Sequence, residues 1–373
     1  MKQLDAIRTF GVFGVFYVHF VSTHLPKPTI FGHEIFLGST VLDAFFVMSG
    51  YLITGILLKG RSDFEAGRIS LSTAFKQFYV RRSLRIFPIF YLTLAAGWLL
   101  DIPPVRDSIG WHLGYLSNIY LADHGWELGS VTHLWSLSVE EQFYLLWPLL
   151  VLLTPKRALP VALVAVIGVA PLFRYYCLVA GTNSILPFVH ALGNLDMLAI
   201  GAVLAYLKTY RRSRPEAVAK VMSFCLWVGG GLFVLDAILL TFEVAGAFSV
   251  FSRTFEAMAF CWAFNKATDG FTGPLGTFLE WKPFLFLGKI SYGLYLYHNF
   301  VPYVAKPYLL EPLHLDFLVS GLIGKYITYS IITVGVATAS WYLIEVPIGR
   351  FRDSLRFGEQ KARVPAGAVP EAK

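Results

Sequence analysis

Residues 133–148 read HLWSLSVEEQFYLLWP, which combines ionisable side chains with enough apolar residues to form a helix in lipid. At helical spacing, four polar side chains fall at i, i+3, i+7 and i+11 and so share one face: His133, Ser136, Glu140 and Tyr144. An ionisable side chain at membrane depth costs roughly 2.5–3.5 kcal/mol on insertion scales. We therefore expect this face to point into a helical bundle or a water-filled cavity, where it forms a candidate functional site.

The composition of the chain is typical of a polytopic membrane protein. Hydrophobic residues make up 56% of the 373 positions and charged residues only 15%, and the mean hydropathy is +0.59. This leaves too little polar surface to cover a soluble globule of this size. A run of about 20 apolar residues crosses a ~30 Å hydrocarbon core. Such runs lie at about 6–25, 37–58, 83–100, 134–153, 158–180, 186–207, 221–241, 244–264, 283–301 and 317–344.

The sequence thus predicts an all-α fold, a polytopic membrane bundle of about ten transmembrane helices. The apolar segment 111–122 is too short to cross alone, and we interpret it as a re-entrant or interfacial piece. Asp5 interrupts the charged leader and no small-residue cleavage site follows, so the first run is predicted to be a retained span rather than a secretory signal. One integral membrane domain is predicted over residues 1–350, followed by a polar cytosolic tail, 351–373, that is predicted to be disordered.

The distribution of Lys and Arg predicts that both termini are cytosolic. With the N-terminus inside, the basic clusters fall on the cytosolic side: residues 59–82, 156–157, 208–220 and the segment from Arg350 onward. The net charge of +7 is attributed to this topology and to contact with anionic lipids of the bilayer. No basic run has the aromatic interleaving or folded module of a nucleic-acid binder, so no nucleic-acid partner is expected. The three cysteines show no metal or redox spacing, so no metal site is expected.

The first two spans carry a possible base and its partner. Arg8 and His19 are 11 residues apart, which places them about 20° from eclipsed and roughly 16 Å apart along a helix. Asp43 enters the second span at a depth similar to that of His19, so its carboxylate could orient the imidazole as a general base. The alternatives are a snorkelling anchor for Arg8, a hydrogen-bonded interior histidine for His19 and a helix cap for Asp43.

The third predicted span carries an arginine pair at its cytosolic mouth. Arg82 and Arg85 lie at i and i+3 on one face, and their guanidinium forks suit phosphate oxygens. The alternative for this pair is a contact with lipid headgroups. Near the C-terminus, residues 287–298 read LGKISYGLYLYH and place Ser291, Tyr295 and His298 at i, i+4 and i+7. Other buried charges are predicted to form structural ion pairs within the bundle: Arg174, Asp196, Asp236, and Arg253 with Glu256.

These segments resemble, in order, the motifs of the acyltransferase-3 family of integral membrane acyltransferases. The matching pieces are residues 4–8 (LDAIR) with His19, residues 45–52 (FFVMSGYL), residues 82–88 (RSLRIFP), residues 133–148, residues 287–298 and residues 345–347 (EVP). One such piece would be a weak signal, whereas six in family order over about residues 1–350 are highly specific. Ala6 stands where Gly is usual, and Met48 and Tyr51 replace the commoner Leu and Phe; none of these departures removes chemistry.

The resemblance implies an O-acyltransferase in which His19 is the catalytic residue and Arg82 and Arg85 contact acyl-coenzyme A as donor. The acyl group, commonly acetyl, would pass to a hydroxyl of a carbohydrate or of another glycosylated or polyketide acceptor. The expected location is the bacterial inner (plasma) membrane. We assign catalytic roles to His19, Asp43 and Glu140; donor binding to Arg8, Arg82 and Arg85; and substrate binding to His133, Ser136, Tyr144, Ser291 and His298.

Two other functions stay open. A secondary transporter or flippase of a polar or acylated solute would also have about ten spans with buried charges, although the chain lacks the symmetry between halves that such proteins usually show. An unrelated membrane-bound O-acyltransferase also uses a buried histidine, but its motifs do not match these. Acyl-coenzyme A turnover without exchange of solute across vesicles would separate the enzyme from the transporter.

Overall fold

The computed structural model describes residues 2–25, 29–30, 33–34, 38–211, 214–242, 244 and 246–355. Almost all of these residues are helical, which confirms the predicted all-α fold. Two two-residue strands, β1 (Thr29–Ile30) and β2 (His33–Glu34), form a minimal antiparallel pair with Thr29 opposite Glu34.

The α-helices are numbered along the chain. They are α1 (Lys2–Phe20), α2 (Gly38–Glu65), α3 (Leu71–Leu99), α4 (Val105–Leu113), α5 (Ser117–His124), α6 (Leu134–Leu153), α7 (Leu159–Val179), α8 (Leu186–Val189), α9 (Leu195–Tyr210), α10 (Pro215–Phe224), α11 (Gly230–Thr241), α12 (Ser252–Asp269), α13 (Gly273–Leu279), α14 (Lys282–Lys289), α15 (Ser291–Tyr297), α16 (Val301–Ala305), α17 (Leu322–Ser340) and α18 (Val346–Ser354). Short 3₁₀ segments lie at Ser22–His24, Gly129–Val131, Ala191–Asn194, Gly246–Phe251 and Asp316–Val319. Turns of π-helix lie at Cys225–Gly229, Lys306–Leu310 and Trp341–Glu345.

Within the described residues, six helical segments are long and apolar enough to cross a membrane. They are Thr40–Glu65, Gly129–Leu153, Leu159–Val179, Ala191–Tyr210, Pro215–Leu240 and Leu322–Ser354. The chain is therefore an integral membrane protein. Helices α1, α3 and α12 also coincide with predicted spans. The count of about ten spans and the cytosolic position of both termini remain predictions.

Four predicted segments or boundaries differ in detail from the structure. The predicted span 283–301 is divided into α14, α15 and α16, with breaks at Ile290 and at residues 298–300. The interfacial segment 111–122 falls on the short helices α4 and α5. Helix α3 begins well before the predicted start at residue 83, because Ser70 caps it by accepting a 3.0 Å hydrogen bond from the backbone N–H of Thr73. Helix α18 continues past the predicted domain end at 350, and residues 356–373 of the predicted tail lie outside the described residues.

Glycines set how closely the central helices approach. A Cβ atom on Gly50 of α2 would lie 1.9 Å from the carbonyl oxygen of Leu198, and one on Gly201 of α9 would lie 1.9 Å from that of Val47. The backbones of α2 and α9 therefore touch, which any larger side chain would prevent. Gly288 of α14 is held in the same way, since its Cβ would lie 2.0 Å from the carbonyl oxygen of Asp5 in α1.

The opposite side of α2 packs on α6 through polar and aromatic contacts. Ser49 is hydrogen-bonded to the hydroxyl of Tyr144, and the indole of Trp147 donates a 2.7 Å hydrogen bond to Thr54. Phe46 lies edge-on to Trp135, with 6.0 Å between the ring centroids. Helix α2 is thus fixed between α9 and α6, and part of its remaining surface lines a cavity.

Candidate active site

A cavity of about 210 Å³ lies between α1, α2, α3, α6 and α15. Its wall on α2 is apolar except for Ser49 and includes Leu42 and Phe45, whereas the walls on the other helices carry most of the polar side chains. The cavity brings together seven of the residues that the sequence analysis assigned to a site: Arg8, Arg82, Arg85, Ser136, Glu140, Tyr144 and Ser291. Residues from four separate helices therefore meet in one space, as the polar stripe of residues 133–148 requires.

Three arginines give the cavity its positive charge. Arg8 donates a 2.8 Å hydrogen bond from Nη1 to Asp5, and the guanidinium of Arg82 lies over the ring of Tyr144, 3.9 Å from the centroid. The Nε atom of Arg82 is buried and has no hydrogen-bond partner among the described residues. Burying a guanidinium is costly unless an opposite charge or hydrogen-bond acceptors compensate it. The arginine end of the cavity is therefore suited to an anionic ligand.

The hydroxyl groups of the cavity are linked in pairs. Tyr144 is bonded to Ser49, and Ser136 is bonded to the hydroxyl of Tyr295, which in turn donates a 3.0 Å hydrogen bond to the carbonyl oxygen of His133. The second pair joins the first turn of α6 to α15. Tyr295 lines the cavity on one side and contacts the histidines described next on the other.

The three histidines assigned to the site, His19, His133 and His298, form a cluster behind Tyr295. The ring centroid of His298 lies 5.0 Å from that of His19 and 4.7 Å from that of His133. The ring of Tyr295 lies 5.5 Å from both His133 and His298. Phe16 stacks on His298 at 5.4 Å. The cluster is thus enclosed by aromatic side chains, and His133 and His298 are at most 1% exposed.

The break after α15 fixes the orientation of two of these rings. The last carbonyl groups of a helix have no intrahelical partner, and here they accept from imidazoles. Nε2 of His133 donates to the carbonyl oxygen of Leu296 at 3.0 Å, and Nδ1 of His298 donates to that of Tyr295 at 2.6 Å. The other ring nitrogens, Nδ1 of His133 and Nε2 of His298, are buried without a hydrogen-bond partner among the described residues. In the neutral rings each of these nitrogens carries a lone pair.

Asp43 lies elsewhere than the sequence analysis expected. Both of its carboxylate oxygens accept hydrogen bonds from Arg253 of α12, the contact between Oδ2 and Nε being 2.9 Å. The sequence analysis predicted how far along α2 Asp43 lies, but not which face of the helix carries its side chain. Asp43 shares the face of Val47 and Gly50, which is turned toward α9 and α12, whereas Leu42 faces the cavity.

The prediction of structural ion pairs is confirmed for Arg174 and Asp196. Nη2 of Arg174 lies 2.7 Å from one oxygen of Asp196 and 2.9 Å from the other, and both side chains are buried. Asp236 instead accepts a hydrogen bond from Ser252. Arg253 makes its hydrogen-bonded ion pair with Asp43, not with Glu256 as predicted. These contacts hold α2, α7, α9 and α12 together beside the cavity.

Three cavity residues received no role in the sequence analysis. Tyr295 was placed on the face of Ser291 and His298, and its hydroxyl contacts could not be read from that spacing. Tyr292 also lines the cavity; tyrosines are common interfacial anchors in membrane helices, so the pattern around it carried no signal. Ser49 lay within the FFVMSGYL segment, but only its contact with Tyr144 shows its position. Among the described residues, no group of His, Cys, Asp and Glu side chains is arranged to hold a metal ion.

A family model described as an acyltransferase domain matches residues 1–344. The chain belongs to the acyltransferase-3 family. Among curated relatives of this acyltransferase-3 protein, O-acetyltransferase OatA of Staphylococcus aureus strain NCTC 8325 / PS 47 is 27% identical over 374 residues, as is OatA of strain MRSA252. A relative in strain MSSA476, whose O-acetyltransferase name is provisional, is 29% identical over 371 residues. Each alignment covers 93% of this chain but only 57% of the relative, so the chain spans little more than half the length of these proteins. No solved structure gives a significant match.

Proposed function

We propose that the protein is a membrane O-acyltransferase that moves an acyl group, acetyl as the first candidate, from acyl-coenzyme A to a hydroxyl of a carbohydrate or of another glycosylated or polyketide acceptor. One observation carries the proposal: the cavity that holds three arginines at one side reaches Tyr295, which contacts the histidine cluster. The O-acetyltransferase names of the relatives support the choice of an acetyl group.

The arginines bind the donor in this proposal. Coenzyme A carries phosphates, and guanidinium groups pair with phosphate oxygens through two parallel hydrogen bonds. The uncompensated Nε of Arg82 and the neighbouring Arg85 are the groups that such an anion would satisfy. Arg8 and His19 lie on one helix, roughly 16 Å apart along its axis. A thin extended arm can bridge that distance, with the phosphates at the arginines and the thioester near His19.

His19 acts as the general base. It takes the proton of the acceptor hydroxyl as the oxygen attacks the thioester carbonyl, and the collapse of the tetrahedral intermediate releases the thiolate of coenzyme A. The proton then passes to the thiolate sulfur, which leaves the histidine neutral for the next turnover. We assign stabilisation of the oxyanion to Ser291 ahead of Ser136 and Tyr144, because the hydroxyls of the latter two are already bonded to Tyr295 and Ser49.

The remaining assignments follow from position. Glu140 lines the cavity one helical turn from Ser136 and would position the acceptor. Asp43 has a structural role, since Arg253 occupies both of its oxygens. We further propose one integral membrane acyltransferase domain over residues 1–350, with the arginine side of the cavity facing the cytosol. Because the relatives are bacterial, the bacterial plasma membrane is the proposed location.

The test is turnover of acetyl-coenzyme A by the purified full chain in lipid nanodiscs, read as release of the free thiol. His19→Gln is expected to lower kcat at least about 100-fold, and Arg85→Gln to raise the KM for the donor with a smaller change in kcat. The matched controls are His124→Gln and Arg68→Gln, because these side chains are exposed and lie outside the cavity.

Three results would contradict the proposal. If His19→Gln retained the wild-type kcat, the base would lie elsewhere. If Arg68→Gln raised the KM as much as Arg85→Gln, the arginine assignment would be wrong. If the wild type neither bound nor turned over the donor, the transporter function would replace the enzyme.

A further inference from the structure

The histidine cluster contains two imidazoles in addition to His19, the proposed general base. His298 and His133 are at most 1% exposed and each is held in a single neutral tautomer by a backbone carbonyl, as described above. Each ring therefore has one unprotonated nitrogen, which is buried without a hydrogen-bond partner among the described residues. Leaving a buried acceptor unsatisfied is costly. Such a group is expected to have a use at another stage of the cycle.

The spacing of the rings suggests what that use is. An N–H···N hydrogen bond between two imidazoles brings their centroids to about 5 Å. The centroids of His19 and His298 lie 5.0 Å apart, and those of His298 and His133 lie 4.7 Å apart. His298 is thus the middle ring of the three, and its Nε2 is buried. Because Nδ1 of His298 donates to the carbonyl oxygen of Tyr295, Nε2 carries the lone pair and can accept a hydrogen bond.

We propose that His298 is a positioning residue that stabilises His19 in its protonated form. This inference rests on the proposed function. When His19 takes the proton of the acceptor hydroxyl, the new imidazolium N–H donates to Nε2 of His298, and the charge is shared with that ring. When the thiolate leaves, the same proton is returned through His19 to the sulfur. No proton is gained or lost, and the two backbone carbonyls keep His298 and His133 in place throughout.

The hydrogen bonds that connect the cluster to the cavity support this assignment. Tyr295 supplies the carbonyl that holds His298, and its hydroxyl donates to the carbonyl oxygen of His133. The same hydroxyl is bonded to Ser136, which lines the cavity. Tyr295 therefore fixes the His298 ring and also forms part of the cavity wall. A purely structural histidine would be expected to have both ring nitrogens engaged, as His112 has through Ser108 and Ser117.

The experiment compares His298→Phe, which keeps a ring but removes the acceptor, with His298→Gln, which keeps an oxygen acceptor of similar reach. Turnover of acetyl-coenzyme A, equilibrium binding of the donor and the midpoint of thermal unfolding are measured in nanodiscs for each variant. We expect His298→Phe to lower kcat about 100-fold and His298→Gln about 10-fold, with the donor KM within about twofold of wild type. His124→Gln is the matched surface control.

A double-variant cycle then separates positioning from an independent role. If His298 acts through His19, adding His298→Phe to His19→Gln should cause no further loss of single-turnover rate. A further loss of similar size in that background would overturn the inference, as would a kcat for His298→Phe within twofold of wild type. Should His298→Phe fail to fold, His298→Gln carries the same cycle. Absence of wild-type turnover would overturn the proposed function and this inference together, whereas normal turnover with an unaffected His298→Phe would overturn the inference alone.

Discussion

Asp43 and Arg253, 210 residues apart in the chain, form a buried ion pair that closes α2 against α12. The carboxylate is fully buried, and the arginine side chain is 11% exposed. Arg253 also donates a 3.2 Å hydrogen bond to the carbonyl oxygen of Phe188 and stacks over that ring at 4.4 Å. The pair therefore fixes the helix that forms the apolar wall of the cavity, and its effect on activity is indirect.

Replacing one member of this pair should destabilise the fold more than it alters chemistry. Asp43→Asn leaves a buried guanidinium without its counter-charge, which costs about 3–5 kcal/mol. We expect a lower midpoint of thermal unfolding in detergent, and partial recovery of that midpoint in the double variant Asp43→Asn/Arg253→Gln. A variant Asp43→Asn with wild-type thermal stability but kcat reduced more than 100-fold would instead support the orientation of His19 by Asp43.

The glycines at the crossing of α2 and α9 should not tolerate a methyl group. Gly201→Ala would place Cβ 1.9 Å from a backbone oxygen, so the helices must separate. We expect a loss of about 3 kcal/mol or more, seen as a lower unfolding midpoint and poor yield from membranes. Gly55→Ala on α2 is the matched control, because a Cβ there meets no atom within 4 Å. Equal stability of the two variants would contradict the close packing.

Exchange of arginine for lysine should weaken donor binding while keeping the charge. A lysine ammonium cannot form the two parallel hydrogen bonds of a guanidinium. We expect Arg82→Lys and Arg85→Lys each to raise the donor KM about tenfold, equivalent to about 1.4 kcal/mol. Arg68→Lys, at an exposed ion pair with Asp63, should leave the KM unchanged. An unchanged KM in both cavity variants would indicate that the donor binds elsewhere.

Two substitutions at Tyr144 separate its ring from its hydroxyl. Tyr144→Phe keeps the ring beneath Arg82 but loses the bond to Ser49, so we expect an unchanged donor KM and a stability loss of about 1 kcal/mol. Tyr144→Leu also removes the cation–π contact, worth about 1 kcal/mol, and should raise the KM about fivefold. If the Phe and Leu variants had the same KM, the ring would play no part in holding Arg82.

Residue spacing predicted which side chains share a helix face, and the cavity contains most of them because lipid excludes ionisable groups from every other direction. Spacing within one helix carries no information on how two helices are rotated against each other. For that reason the spacing gave no indication that Asp43 pairs with Arg253. The rotation of α2 is set by Gly50 and Gly201, whose contact depends on the full three-dimensional packing.

The segment 283–301 contains a helix break that its sequence pattern did not predict. Its apolar length predicts a continuous span, because hydropathy averages over the residues and does not register where hydrogen bonding stops. At the break after Tyr297, the rings of His133 and His298 donate to the carbonyls of Leu296 and Tyr295. One of those rings comes from α6, far away in the sequence, so no local pattern could predict it.

The same break affects how the chain enters the membrane during synthesis. A helix that ends inside the hydrocarbon layer with bare carbonyls cannot rest against lipid tails. We therefore expect the piece containing α15 and α16 to insert stably only once His133 is in place to bond the carbonyl of Leu296. Biogenesis of this protein should consequently finish with a packing step, in which the earlier helices act as an intramolecular chaperone for the C-terminal third.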